Sequence, residues 1–245
     1  MYIGGYYMSD HQIYAVILAG GIGLRMGNME KPKQYIELGE KPIIIHTIEK
    51  FYINSKFDKV IVLCPTQWIN HTEDLIQRFL PHSNNIVVIS AGETRNETIM
   101  NAIAYIEENL GLDDQTIIVT HDAVRPFVTH RIIEENIKCA LQYGACDTVI
   151  PSSDTIVMSK DQESIYDIPE RKYMYQGQTP QSFKAKLLKE LYEKLNDSQK
   201  ATLTDAAKIC IMNQVDVHLV KGEVFNIKIT YPFDIEVAKS LLGGK

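Results

Sequence analysis

The sequence predicts an α/β fold, a doubly wound and mainly parallel sheet with a protruding β-hairpin arm. Three observations carry this prediction. Short apolar runs alternate with amphipathic stretches up to residue 143, so strand and helix follow one another as βαβ units require. The runs are apolar at nearly every position, as strands covered on both faces must be, whereas a half-exposed strand would alternate. The rhythm then breaks over 151–178, where a weakly alternating stretch surrounds a polar turn at 159–163 and shows no helical period.

Taken in order, "IYAVILA" (13–19), "KVIVLC" (59–64), "NIVVIS" (85–90) and "TIIVTHD" (116–122) read as strands. Helices are expected near 43–54, 67–80, 94–109 and 129–143. Thr94 with Glu97 has the spacing of a capping box, which places one helix start. After the hairpin come helices near 184–195 and 204–213, a strand at 215–220, the strand-like "NIKIT" (226–230), and a last helix from Pro232. An isolated hairpin is marginal in water, so the arm is expected to pack on a second subunit, giving a homodimer. The organisation expected is one domain over 8–245, with the arm at 151–178 and 1–7 as an extension ahead of a second methionine, Met8.

Composition narrows the class. The 245 residues are 45% hydrophobic and 23% charged, enough to bury a full core. A net charge of -6 argues against a nucleic-acid or membrane surface, so cations gathered near glycines mark a local site. Cys64, Cys139, Cys146 and Cys210 show neither a C-x-x-C pair nor metal-ligand spacing, and read as free thiols in a reducing compartment. No apolar run reaches the roughly 18 residues of a membrane-spanning helix. A cytoplasmic location is expected.

The stretch "LAGGIGLRMGNMEKPKQ" (18–34) follows the first strand and is the main candidate for chemistry. Glycines at 20, 21 and 23 let several backbone amides converge on an anion, as a phosphate cradle needs. Two common cradles fail. The dinucleotide fingerprint has Met26 where its third glycine belongs, and a P-loop would need Gly-Lys-Ser/Thr where Arg25 and Met26 stand. Arg25 and Lys33 add two cations able to grip a triphosphate and to stabilise charge developing on a transferring phosphoryl group. In open parallel sheets, ligands bind beyond the carboxyl ends of the strands. That rule puts the glycine loop, "SAGETRNET" and "THDAVRP" at one rim.

The L-A-G-G-x-G-x-R-M run with its following P-K-Q, "THDAVRPF" (120–127), "QTPQSF" (178–183), "LTDA" (203–206) and "NIKIT" together resemble the cytidylyltransferases that join CTP to a sugar or polyol phosphate. The resemblance runs from about Ile13 to the C-terminus and implies a Rossmann-like nucleotidyltransferase sheet. It implies catalytic roles for Arg25, Lys33 and Lys228, with Lys33 and Lys228 neutralising charge at the α-phosphorus. Leu18, Ala19, Gly20, Gly21, Gly23, Gly92, Thr98, Asp122 and Ala123 would bind the nucleotide, Thr98 and the Ala19, Gly20 and Gly92 backbone reading the cytosine edge. Asp122 would hold Mg²⁺. Thr155, Arg171, Thr204 and Lys228 would bind the acceptor, Thr155 and Arg171 from the neighbouring subunit, while Arg95 and Arg125 brace the loops. Within this family the "LTDAAK" segment, with one acid where the isoprenoid branch shows two, and the long Arg25–Lys33 interval favour D-ribitol 5-phosphate as acceptor, for teichoic-acid-type polymers. The alternatives are 2-C-methyl-D-erythritol 4-phosphate and a catalytically silent nucleotide-binding protein.

The implied reaction is in-line attack of the acceptor phosphate on the α-phosphorus, with pyrophosphate leaving. A phosphate dianion needs no strong base, so positioning and charge neutralisation suffice. His121, beside Asp122, is expected to point to the opposite face of its strand and to stay out of the chemistry.

Overall fold

The structure, a computed structural model, describes residues 11–21 and 31–243. In chain order the elements are β1 (Ile13–Leu18), a small antiparallel ribbon of β2 (Glu37–Leu38) and β3 (Lys41–Pro42), α1 (Ile43–Tyr52), β4 (Lys59–Cys64), α2 (Ile69–Phe79), β5 (Ile86–Ser90), α3 (Arg95–Asn109), β6 (Ile117–Asp122) and α4 (His130–Tyr143). They continue with β7 (Ala145–Pro151), β8 (Tyr175–Lys184), α5 (Ala185–Glu193), α6 (Asp197–Lys200), α7 (Ala207–Met212), β9 (His218–Lys221) and α8 (Pro232–Gly243). Seven strands form one sheet in the order β5-β4-β1-β6-β8-β7-β9. All pairings are parallel except the two made by β8.

Alternation along each strand explains the two layers. Ala15, Ile17, Val60 and Val62 face one side and meet Ile48 and Phe51 of α1, Ile76 of α2 and Ile133 of α4. Tyr14, Val16, Ile61 and Leu63 face the other and meet Ile99 and Ile103 of α3, Leu188 of α5 and Ile209 of α7. Nearly all these side chains are fully buried, each contributing about 1.5–3 kcal/mol relative to exposure. The sheet is therefore doubly wound, as the apolar runs predict.

Local signals fix the helix that matters most to the site. Thr94 Oγ1 accepts from Glu97 N at 3.1 Å and Glu97 Oε2 accepts from Thr94 N at 3.0 Å, completing the capping box at the start of α3. α4 ends at Gly144, whose φ of 87° is the left-handed conformation that closes a helix most cheaply with glycine.

The second half departs from the sequence reading in three places. β7 and β8 are sheet strands, and the expected hairpin is their continuation: they pair antiparallel from Ala145↔Phe183 to Pro151↔Tyr175, and beyond that a single bridge, Met158↔Asp167, joins the arm. The polar turn is where the sequence puts it, with Asp161 Oδ1 accepting from the amides of Glu163 and Ser164. "NIKIT" is an extended segment outside the sheet, and the strand expected at 215–220 runs from His218 to Lys221. Its place is set by hydrogen bonds, with Ile229 N donating to Val124 O at 2.9 Å.

Candidate active site

The carboxyl ends of β1 and β6 lie side by side, with Leu18 opposite Asp122 and Ala123 N donating to Leu18 O at 3.0 Å. The chain leaving β5 comes alongside, since Ala91 N donates to Cys64 O while Ala19 N donates to Leu63 O. All three loops thus meet at one rim. They enclose a cleft of about 380 Å³ lined on one side by Leu18 to Gly21 and on the other by Gly92 to Arg95, with Asp122, Ala123 and Lys228 between.

Two glycines permit this closeness. A Cβ on Gly20 would stand 2.9 Å from the Ala91 Cβ, and one on Gly92 only 2.6 Å from the Glu97 Cβ and 2.9 Å from the Thr98 amide nitrogen. At Gly92 the obstacle is helix backbone, which cannot yield. Thr98 lines the cleft, but its hydroxyl accepts from Gly92 N at 3.1 Å and donates to Thr94 O at 2.8 Å. Its hydrogen bonds hold the loop rather than reach into the cleft. Both backbone groups of Ala19 are also committed, the amide to Leu63 and the carbonyl to Gln34 Nε2 at 2.7 Å.

Each lysine arrives on an anchored segment. Lys33 opens a short 3-10 turn behind Pro32, held by Gln34 on Ala19 O and by Tyr35, whose hydroxyl meets Thr72 Oγ1 at 2.8 Å and whose ring stacks on Trp68. Lys33 itself is only 8% exposed on the cleft wall. Lys228 is fixed from both sides. Asn226 donates to Gln178 Oε1 and to Thr179 O, while the Ile229 side chain is fully buried beside Val124. Gln34, Glu93, Thr94 and Val124 also line the cleft and were not named as site residues from sequence, although Gln34 sits within the quoted P-K-Q and Thr94 was read as a helix cap.

Asp122 is the electrostatic centre. Lys228 Nζ lies 2.9 Å from Oδ2, Arg125 Nε 3.6 Å from Oδ2 and Arg95 Nε 3.5 Å from Oδ1. Burial alone would push its carboxyl up, but Arg95, Lys228 and Arg125 together hold it well below the usual carboxylate range. It is ionised at every physiological pH. Both arginines have further anchors, Arg95 on Gln181 Oε1 at 3.1 Å and Arg125 on Asn226 O at 2.9 Å. Arg125 thus ties the β6 loop to the Lys228 segment, while Arg95 also forms part of the cleft wall.

His121 points away, as strand alternation predicts. Its Nε2–H donates to Arg125 O at 3.0 Å and its Nδ1 accepts from Thr179 Oγ1 at 2.9 Å, against the Phe51 ring. Thr179 Oγ1 in turn accepts from Asp122 N. Complete burial lowers the imidazole to about 4, so the ring is neutral and structural.

Of the residues named from sequence, Leu18, Ala19, Gly20, Gly21, Lys33, Gly92, Arg95, Thr98, Asp122, Ala123 and Lys228 come together here. Arg25 and Gly23 lie outside the described residues. Thr155, Arg171 and Thr204 are exposed and do not line this cleft. Arg171 donates to Ser153 O at 3.2 Å and borders a separate shallow hollow with Pro151, Ser152, Glu170 and Lys172.

No group of three His, Cys, Asp or Glu gathers among the described residues. The described residues alone make no metal cage. A Mg²⁺ ion at Asp122 would therefore take most of its oxygens from substrate phosphates and water, the ordinary arrangement for this ion with nucleotides.

A cleft lined by glycine backbone and by anchored lysines suits a polyanion whose phosphoryl group is moving, because fixed charges need no reorganisation as the transition state forms. Set at the carboxyl rim of this sheet, it defines a nucleotidyltransferase. Residues 13–244 match the model of the 2-C-methyl-D-erythritol 4-phosphate cytidylyltransferase family, IspD, and the chain belongs to that family. Among solved structures it is similar to the 4-diphosphocytidyl-2C-methyl-D-erythritol synthase of Anaerococcus prevotii, at 28% identity and a TM-score of 0.78 over 95% of this chain and 96% of that one. The 2-C-methyl-D-erythritol 4-phosphate cytidylyltransferase of Francisella tularensis matches at 27% identity and a TM-score of 0.77, over 93% and 98%. The Thermus thermophilus enzyme of the same name shares the fold, at 24% identity and a TM-score of 0.72 over 94% and 98%. The protein is accordingly a CTP-dependent cytidylyltransferase acting on a phosphorylated, sugar-like substrate.

Proposed function

We propose that the acceptor is 2-C-methyl-D-erythritol 4-phosphate, the substrate named for the matching family and for the solved relatives. That agreement carries the reading. It reverses the order suggested by the motifs, which put D-ribitol 5-phosphate and teichoic-acid-type synthesis first. The ribitol reading stays as the second on one observation: the "LTDAAK" segment carries one acid, Asp205, where the isoprenoid branch was expected to show two.

In the mechanism proposed, Lys33 and Lys228 flank the α-phosphorus of CTP and neutralise the charge that builds there as the acceptor phosphate attacks in line. Asp122 sets the position of Lys228 through their 2.9 Å ion pair. With the Ala19 backbone and the Thr98 hydroxyl committed within the protein, recognition of cytosine falls to Gly20, Gly21 and the Gly92–Thr94 loop opposite. Mg²⁺ would neutralise the triphosphate with Asp122 as its protein ligand. Chelation should abolish turnover and Mg²⁺ restore it, and Asp122→Asn should raise the Mg²⁺ needed for half-maximal rate. An unchanged requirement would remove Asp122 from the metal site.

Pyrophosphate release with CTP, Mg²⁺ and each acceptor in parallel tests the reading. The methylerythritol substrate should show a kcat/KM at least about a hundredfold above ribitol 5-phosphate, since a mismatched polyol leaves buried polar groups unpaired. The reverse order would establish the second reading, and turnover of neither would overturn both.

A further inference from the structure

A second carboxylate lies in the field of Arg95, which lines the cleft, and has no role in the chemistry above. Asp147 projects from β7 toward the layer of α3 and α7, as Ala145 two residues earlier does. Its registered neighbour is Gln181 of β8, itself only 2% exposed, whose side chain favours the charged form of the Asp147 carboxyl and accepts from Arg95. Arg95 faces Asp122. A continuous polar line therefore runs from the phosphate-handling carboxylate to Asp147.

Three features suggest that this line ends on a ligand. Asp147 Oδ1 is buried without a hydrogen-bond partner, a costly state in a finished core. The β7–β8 ladder slips just after it, between Asp147 and Val149, and such bulges re-aim side chains beside active sites. Across the ladder, Gly177 places no side chain against the carboxylate, where a Cβ would come into contact with Oδ2 at 3.8 Å. Burial, with Asp205 nearby, raises the Asp147 carboxyl to about 7, so near neutrality it can both donate to and accept from a hydroxyl.

We propose that Asp147, oriented by Gln181, reads the hydroxyl groups of the acceptor and is a specificity-determining residue for a phosphorylated polyol. The inference rests on the proposed reaction: with the acceptor phosphate at Lys228, the carbon chain extends past Arg95 toward Asp147. A protonated carboxyl can donate to and accept from a hydroxyl at once.

The test compares wild type, Asp147→Ala and Asp147→Asn, using whichever of the two polyol phosphates the wild type turns over. Asp147→Ala should raise the KM for that acceptor at least about tenfold, the scale of one hydrogen bond to a charged group, and leave the KM for CTP within about twofold. Asp147→Asn, nearly isosteric, should fall between the two, and circular dichroism should show both variants folded. An unmoved acceptor KM, or equal increases in both KM values, overturns the assignment while the proposed function stands. If wild type turns over neither acceptor, the proposed function fails and this inference fails with it.

Discussion

Asp122 and His121 are sequence neighbours with opposite fates, and the physical reason is strand alternation on β6. One carboxylate faces three cations at the rim; one imidazole is sealed behind it against Phe51. The His121 ring gives a pH prediction. Its folded value, about 4, lies below the roughly 6.5 of an unfolded histidine, so between those values the unfolded chain binds the extra proton. Its contribution to stability is fully present above about pH 6.5 and lost as pH falls toward 4, up to about 3 kcal/mol at about 1.4 kcal/mol per pH unit. His121→Gln should be less stable than wild type at pH 7, and the gap in Tm should narrow steadily toward pH 4. A constant gap would mean that the ring is not neutral and buried as described. The same residues show what sequence makes legible at this scale: strand-end Asp122 and anchored Lys228 stand in readable motifs, whereas the commitment of the Thr98 hydroxyl to its own loop depends on Gly92, brought back by the chain reversal.

At the scale of elements, the loop between β5 and α3 is the tightest part of the cleft, because the capping box and Gly92 both press on the first turn of α3. Gly92→Ala should therefore lower the Tm and weaken CTP binding together, whereas Thr94→Ala should cost about 1 kcal/mol, the usual loss of a helix cap. Thermal denaturation with CTP titration checks both, and an unaffected Gly92→Ala would show that the loop has slack. The first four sheet strands are legible because they are apolar throughout. β8 is not, because "YQGQTPQSFK" buries polar side chains that are satisfied only by partners far away in sequence: Gln178 Nε2 donates to Glu223 O, Thr179 Oγ1 to His121 Nδ1, and Ser182 Oγ to Asn136 Oδ1. A hydrophobic pattern cannot announce a strand held this way. "NIKIT" misleads in the other sense, since its β-branched residues serve one-sided anchoring on Val124 and not a ladder.

For the whole molecule, the arm is the part that one chain leaves unexplained. It carries Val157, Ile165, Tyr166, Ile168 and Tyr173, each more than half exposed, on a segment tied by one bridge. Such a surface favours the proposed homodimer, with Thr155 and Arg171 supplied to the neighbour's cleft. If so, Lys33→Ala and Arg171→Ala, each inactive alone, should recover activity toward half per mixed dimer when co-assembled, because one site then carries both defects and the other neither. No recovery in confirmed heterodimers would return Arg171 to its own subunit or exclude it from the site. Transfer is proposed to take place in one cleft, with Lys33 and Lys228 stabilising the moving cytidylyl group. The most direct measurement is the kcat for pyrophosphate release by Lys228→Ala under saturating CTP, Mg²⁺ and acceptor. A fall of at least about a hundredfold with an unchanged circular dichroism spectrum is predicted, the scale of losing one preorganised transition-state charge. A kcat near that of wild type would contradict it.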